Sequence, residues 1–383
     1  MNFDSAHIID VRSEKEFNYG HVQGSVNIPL EQINNHIAEL KNFETLIVYC
    51  RSGNRSVHAK RILDENGIHN VIDGGALEST AQLLNRRIVI DEQKEESRTI
   101  STYRNEGRKL RILIPSDFTP QTSFARIMGE KLAEYMDLSL HFVHVIDLPE
   151  TVTLDNNGNV FTCGEIDPAY VERLKREGED KLNALKVNAK VETTTEIKFG
   201  KLTDTILSLA DTMHIDVIIV GTKGLWGLKE KLTVTQAQIL ARKSNIPVLS
   251  LMCDRSDLEI QNILFVHDFK ESKEKHPEFM NTLVEASNAK VFQLYISKSL
   301  SVDSEQNLLA QMDMYAKDHN IQDYENRIII GDDIESGVSK FLSDQDADIV
   351  FIGTHGDGGV FHSSSAEALV KHLFKPIVTF HLD

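Results

Sequence analysis

Two distant stretches of this chain repeat one another, and no other feature narrows the possible folds as much. Asp216-Val217-Ile218-Ile219-Val220-Gly221-Thr222-Lys223-Gly224 returns as Asp348-Ile349-Val350-Phe351-Ile352-Gly353-Thr354-His355-Gly356. Upstream of each lies a matching opening, Arg111-Ile112-Leu113-Ile114-Pro115-Ser116-Asp117-Phe118 and Asn262-Ile263-Leu264-Phe265-Val266-His267-Asp268-Phe269. After the first opening, Phe124, Ile127, Met128, Leu132 and Met136 recur at three- and four-residue spacing, the stripe of an amphipathic helix. An apolar strand follows in both copies, at 141–146 and 291–296. Both close on a helix and a strand that starts at a proline, 247–251 and 376–380. Short apolar runs alternating with helical stripes mark parallel α/β construction. Repetition at this length indicates a duplicated domain. The copies are unequal, for 104 positions separate Asp117 from Gly221 and 85 separate Asp268 from Gly353. The surplus in copy one is expected around 148–170. Within it Asp155-Asn156-Asn157-Gly158-Asn159 has the acidic character of a calcium loop, but the glycine comes one place early and the later Glu is misplaced. A plain turn is expected there.

The block before the repeats reads as strand 7–11, strand 45–49, helix 55–66 and strand 69–72, with Gly67 placed as a left-handed C-cap. Asp91-Glu92-Gln93-Lys94-Glu95-Glu96-Ser97-Arg98 is charged and carries no apolar periodicity, so it reads as linker. At about 150 residues per domain, 383 residues allow two or three domains. The expected division is 1–88, a linker over 89–108, and repeat units over 109–254 and 259–383. Lys plus Arg number 41 against 58 Asp plus Glu, a net charge of -17 that repels polyanions on average. Nucleic acid and anionic membranes are therefore poor partners, although a local basic loop can hold a small phosphate. No apolar run approaches the roughly 18 residues of a membrane span, and residues 1–10 lack a signal-peptide layout. The three cysteines, Cys50, Cys163 and Cys253, lie far apart, which excludes a disulfide framework and metal-type spacing and fits a reducing cytoplasm. A cytoplasmic protein with no metal site is expected.

Cys50 follows the apolar run Leu46-Ile47-Val48-Tyr49 and precedes Arg51-Ser52-Gly53-Asn54-Arg55-Ser56 and a helix. A tight loop between strand and helix aims several backbone N–H groups at one point, with the positive helix end behind them. A thiol there is favoured as thiolate, and Arg51 and Arg55 add positive charge. Gly53 lets the loop curl without a Cβ in the concavity. Such a cradle suits a thiolate, a persulfide or an oxyanion. The competing reading is a buried structural cysteine. Asp10-Val11-Arg12, Glu16-Phe17, Gly20-His21-Val22-Gln23-Gly24-Ser25-Val26-Asn27-Ile28-Pro29 and the run from Cys50 to Ser56 make residues 1–85 resemble the short single-domain form of the rhodanese family. That resemblance implies sulfur transfer: the Cys50 thiolate takes the outer sulfur of thiosulfate or another sulfane donor and passes it to a thiol, cyanide or a protein acceptor. Arg51 and Arg55 would orient the anionic donor, and loop N–H groups would steady the persulfide. Related dual-specificity phosphatases carry one residue more than the Cys-x4-Arg spacing of Cys50 and Arg55, so the loop favours sulfur over phosphate. Asp10, Arg12, Glu16 and His21 match family positions and are expected to hold the loops by charge-assisted hydrogen bonds.

In the repeats, ligands of a doubly wound α/β unit bind outside the carboxyl ends of the strands. Asp117 and Gly221-x-x-Gly224 would meet at that crevice, the carboxylate receiving ribose hydroxyls or an adenine amine and the glycines admitting phosphate. Asp117 could equally cap its helix. The order of strand-end aspartate, Gly-Thr-x-Gly, helix and proline-led strand resembles tandem universal stress protein domains over 108–383. ATP-binding members carry Gly-x2-Gly-x9-Gly-Ser/Thr. Copy one keeps Gly221, Gly224 and Thr235, but Val234 replaces the later glycine. Copy two keeps Gly353 and Gly356, and its Ser363-Ser364 follows a loop three residues short. The candidate nucleotide set is Asp117, Val145, Gly221, Gly224 and Thr235 in copy one, and Asp268, Gly353, Gly356, Ser363 and Ser364 in copy two. Lys223, Lys229 and Lys231 are either phosphate partners or a solvated face.

The expected fold is α/β, a small rhodanese-like domain followed by two doubly wound parallel-sheet units of the universal stress, adenine nucleotide alpha hydrolase-like, kind. The resemblance implies pairing of the stress domains through their last strands, within one chain or in a homodimer. The expected activity is sulfur transfer through a Cys50 persulfide, with catalytic Cys50, Arg51 and Arg55, loop residues Ser52, Gly53, Asn54 and Ser56, and no cofactor for transfer itself. ATP or another adenine nucleotide is the candidate ligand of the stress module. The rival is a non-enzymatic stress protein whose first domain is a thiol sensor or docking module.

Overall fold

The computed structural model describes residues 6–90, 109–147, 152–154, 160–162, 167–187, 190–222, 232–269, 278–299, 302–354, 369–370 and 373–382. The expected linker from residue 91 onward and the calcium-like turn at 155–159 lie outside them. The first domain runs β1 (His7–Asp10), α1 (Glu14–Asn18), β2 (His21–Val22), β3 (Ser25–Asn27), a 3-10 helix (Leu30–His36), α2 (Ile37–Leu40), β4 (Leu46–Cys50), α3 (Asn54–Glu65), β5 (Val71–Ala76), α4 (Leu77–Leu84) and β6 (Ile88–Val89). Strands β3, β1, β4 and β5 form a parallel sheet in that order, while β2 and β6 pair antiparallel beside it. Strand β4 explains the unbroken apolar run 46–50, because both of its faces are covered. Leu46, Val48 and Cys50 enter one core; Ile47 and Tyr49 enter the other.

The rest of the chain continues β7 (Leu110–Pro115), α5 (Pro120–Leu132), β8 (Leu138–Ile146), β9 (Val152–Leu154), β10 (Val160–Thr162), α6 (Pro168–Val187), β11 (Thr193–Phe199), α7 (Leu202–Thr212), β12 (Val217–Gly221), α8 (Leu232–Lys243) and β13 (Val248–Leu251). The second unit holds β14 (Asn262–Val266), α9 (Glu278–Ser287), β15 (Lys290–Ser297), α10 (Val302–Asp318), β16 (Tyr324–Ile330), α11 (Ile334–Asp344), β17 (Ile349–Thr354) and β18 (Ile377–His381). Ten of these strands build one sheet, ordered β11-β8-β7-β12-β13-β18-β17-β14-β15-β16. Each half is the other read backwards, the doubly wound order in both. The surplus of copy one includes the antiparallel hairpin of β9 and β10.

The halves join through their last strands, β13 against β18, antiparallel, with Leu249 opposite Val378. Unpaired, each would present an open apolar edge. Pairing merges the cores on one side of the sheet, so Leu249, Leu251, Val378 and Phe380 share a single cluster with residues of both units. The repeated aspartate has a repeated task. Asp216 accepts a hydrogen bond from the Arg111 N–H and Asp348 one from the Asn262 N–H, both at 2.8 Å, fixing the register of the fourth strand on the first. Phe118 and Phe269, which follow the strand-end aspartates, both adopt positive φ, 62° and 51°.

Candidate active site

Strand β4 ends at Cys50 and α3 begins at Asn54, so Arg51, Ser52 and Gly53 make the whole turn between them. Gly53 has φ 94°, a left-handed conformation that costs a residue without Cβ nothing. Its N–H points at the Cys50 Sγ, 3.1 Å away. The sulfur thus lies beside the N-terminus of α3, where backbone donors are left over. The Ser56 hydroxyl sits 2.6 Å from Asp73 Oδ1 and 2.9 Å from the Gly53 carbonyl, tying the helix start to β5.

Arg55 is 3% exposed and both of its Nη groups donate to the Glu16 carboxylate at 2.6 Å. Glu16 also closes a capping box on α1, accepting from the Ser13 N–H and hydroxyl. Burial alone would push the Glu16 carboxyl up, but the charge and hydrogen bonds of Arg55, with the charge of Arg255, hold it well below the ordinary carboxylate range. Asp10 and Arg12 form a second buried pair at 2.7 Å, and Arg12 reaches on to the Gly20 carbonyl at 2.6 Å. His21 Nδ1 stands 3.0 Å from the Phe17 carbonyl. Glu16 thus ties α1 to α3 through Arg55, Arg12 ties Asp10 to the Gly20 carbonyl, and His21 stays within its own turn.

The other wall comes from the far end of the chain. Met252 and Phe374 pack into the same core as Cys50, Val48 and Ala59, and Cys50 is 1% exposed. Asn54 Nδ2 donates to the Met252 carbonyl at 2.8 Å. Arg51 reaches out to the Ser256 hydroxyl at 3.3 Å, onto the segment that joins the two repeat units. Arg255 on the same segment is buried, its Nη1 3.7 Å from Glu16 Oε2. Cys253 is buried too, and burial pushes its thiol up. Sequence reasoning missed Met252, Cys253, Arg255 and Phe374. Its one available signal was Cys253-Asp254-Arg255-Ser256-Asp257, a charged run beside a cysteine directly after an apolar strand.

With this geometry in place, the chain can be set against known proteins. Residues 1–79 match the family model described as rhodanese-like domain. Thiosulfate sulfurtransferase PspE of Escherichia coli (strain K12) is 42% identical over 82 residues, which span 21% of this chain and 78% of that protein. The chain belongs to the rhodanese-like family. Beyond its rhodanese-like domain, residues 110–251 match the universal stress protein family model. Universal stress protein MJ0531 of Methanocaldococcus jannaschii is 28% identical over 153 residues, 39% of this chain and 86% of that protein. The crystal structure of a universal stress protein from Archaeoglobus fulgidus DSM 4304 superposes with a TM-score of 0.53 at 16% identity, covering 71% of this chain and 98% of that one. That coverage exceeds residues 110–251, so the likeness of fold takes in both repeat units.

The described members of the expected nucleotide set have the following surroundings. Asp117 Oδ1 accepts from the Thr119 N–H at 3.0 Å and from the Thr119 and Thr122 hydroxyls at 2.6 and 3.1 Å, closing the entry turn of α5. Asp117 is exposed, whereas Asp268 is buried with Oδ1 3.8 Å from His267 Nδ1, so the copies present their carboxylates differently. A Cβ at Gly221 would stand 2.0 Å from the Gln121 carbonyl oxygen, so the close approach permitted there is that of α5 to β12. At Gly353 the same space is taken by Leu382. Val145 is half-buried against the first unit's second core. Thr235 lies on α8, and its side chain is outside the described residues, as are Gly224, Gly356, Ser363 and Ser364. Among the described residues no group of His, Cys, Asp and Glu could hold a metal ion, and no helix is long and apolar enough to cross a membrane.

Proposed function

We propose that this protein is a sulfurtransferase in which Cys50 carries the sulfur between two substrates. The observation that carries the reading is the placement of the Cys50 Sγ: it receives the Gly53 N–H inside a strand-to-helix turn whose Arg55 is locked in place by Glu16. The Cys50 thiolate attacks the outer sulfur of thiosulfate, the S–S bond of the donor breaks, and its electron pair leaves with sulfite. The outer sulfur of the resulting persulfide is then attacked by cyanide, a thiol or a protein thiol, returning Cys50 as thiolate. The Gly53 N–H steadies charge on sulfur through both steps. Arg55, held on Glu16, and Arg51, held on Ser256, add positive charge around the donor site, and Ser56 keeps the turn closed through the Gly53 carbonyl. In a steady-state assay with thiosulfate and cyanide, the intact chain forms thiocyanate with parallel double-reciprocal lines, and Cys50→Ser forms none. Thiocyanate formation surviving in Cys50→Ser would overturn the reading.

The repeat units extend the proposal. We read residues 259–383 as a second stress domain, supported by the mirrored strand order and by the β13–β18 pair. Adenine nucleotide remains the ligand proposed for the first stress domain, near Asp117 and Gly221, and saturable heat on titrating ATP into the full chain is its test. A sensor or docking role for the rhodanese-like domain is favoured by one observation, the 1% exposure of Cys50 in a core that it shares with Met252 and Phe374.

A further inference from the structure

The contact between the rhodanese-like domain and the segment after β13 is built around more buried donors than it uses. Arg55 and Arg255 are 3% and 2% exposed, yet Arg55 Nε and Arg255 Nε and Nη1 donate no hydrogen bond to the protein. The carboxylate they share, Glu16, is already filled by Ser13 and the two Nη groups of Arg55. Arg255 reaches it only at 3.7 Å. Burying two guanidinium groups against one saturated carboxylate is costly unless something else accepts from them. The nearby Asp257 accepts no hydrogen bond on either oxygen. Burial, and then the charge of Glu16, push its carboxyl up. The cluster therefore carries unmet N–H donors next to the Cys50 turn, where Arg51 adds a further guanidinium held on Ser256. A small tetrahedral oxyanion supplies what is missing, several acceptor oxygens and a negative charge in a compact volume.

We propose that Arg255, a residue of the segment joining the two repeat units, completes the Cys50 site: with Arg55 it forms a subsite for the –SO3 end of a thiosulfate-class donor and for the sulfite that leaves. The identity of this anion rests on the sulfurtransferase reading of Cys50; the existence of the anion site does not. Arg255 is thus a specificity-determining residue supplied by the stress module to the rhodanese-like domain, and Asp257 opposes it when ionised.

The test uses the full-length Cys50→Ser chain, which removes covalent chemistry, and sulfite titrated calorimetrically. Sulfite binds saturably, Arg255→Gln weakens it about tenfold or more, and Arg255→Lys restores most of the loss. Asp257→Asn tightens sulfite binding at neutral pH, a gain that misfolding does not produce. If Arg255→Gln does not fold, the Asp257→Asn result decides alone. Equal affinity in parent and variants, or no sulfite binding in the parent, overturns the subsite. In the chain with Cys50 intact, Arg255→Gln raises the thiosulfate KM far more than it lowers kcat. Should that chain take no sulfur from any sulfane donor while sulfite still binds through Arg255, the sulfurtransferase reading falls and the anion site stands.

Discussion

Glu16 does the most at the scale of single residues. One carboxylate caps α1 through Ser13 and fixes Arg55 through both Nη groups. Replacing it with Gln leaves a buried guanidinium without its counter-charge, a change that costs about 3–5 kcal/mol in comparable buried pairs. Denaturant unfolding at neutral pH checks this. The sign of the pH dependence follows from the lowered Glu16 carboxyl. Its contribution is fully present above the unfolded glutamate value of about 4.3 and is lost as pH falls toward the depressed folded value. The stability gap between the native chain and Glu16→Gln therefore narrows in acid; a gap that widened would contradict the assignment. Arg51 and Arg55 were legible in the sequence as charges near Cys50, but their directions were not. Arg51 turns outward to Ser256, and Arg55 turns inward to Glu16, because both partners lie far away in the chain.

Among elements, the strand–turn–helix β4–α3 was the most legible part of the site. Its unbroken apolar strand and its glycine three residues after the cysteine both follow from local chemistry. Gly53→Ala forces a Cβ into the left-handed conformation at φ 94°, though the space beside it is open, the nearest atoms being Gly75 backbone at 3.7 Å. The expected cost is roughly 1–2 kcal/mol, from strain alone. A rotated Gly53 N–H would also leave the sulfur, so persulfide forms more slowly while the fold persists; mass spectrometry after timed thiosulfate exposure reads this. An unchanged rate would remove the N–H from the mechanism. The repeated Asp-to-Gly runs gave away strands β12 and β17 for a similar reason, since an apolar run bounded by a register-fixing aspartate and a glycine has few other uses. The hairpin of β9 and β10 was not readable, because three-residue strands carry no period.

For the whole molecule, sequence spacing indicates three α/β units, and the resemblance adds the last-strand pairing of the two repeat units that β13 and β18 make within the chain. What joins the first unit to the other two is written in residues that look ordinary where they stand. Lys15 pairs with Asp348 at 2.8 Å, and Met252 and Phe374 finish the core around Cys50. Contacts across more than two hundred positions leave no local pattern, so the covered state of Cys50 had no signature. Lys15→Met removes one tie between the domains and leaves the Asp348 carboxylate, 5% exposed, without its cation. The contact loosens, and Cys50 is alkylated several-fold faster by a small thiol reagent, read by mass; an unchanged rate would show that the stress module does not gate the thiol. The central claim, that Cys50 carries sulfur, is tested most directly by the intact mass of the full chain before and after thiosulfate, with Cys50→Ser alongside. The account predicts a gain of one sulfur atom, reversed by a thiol and absent from Cys50→Ser. No gain, with Cys50 still reduced and open to alkylation, would contradict it.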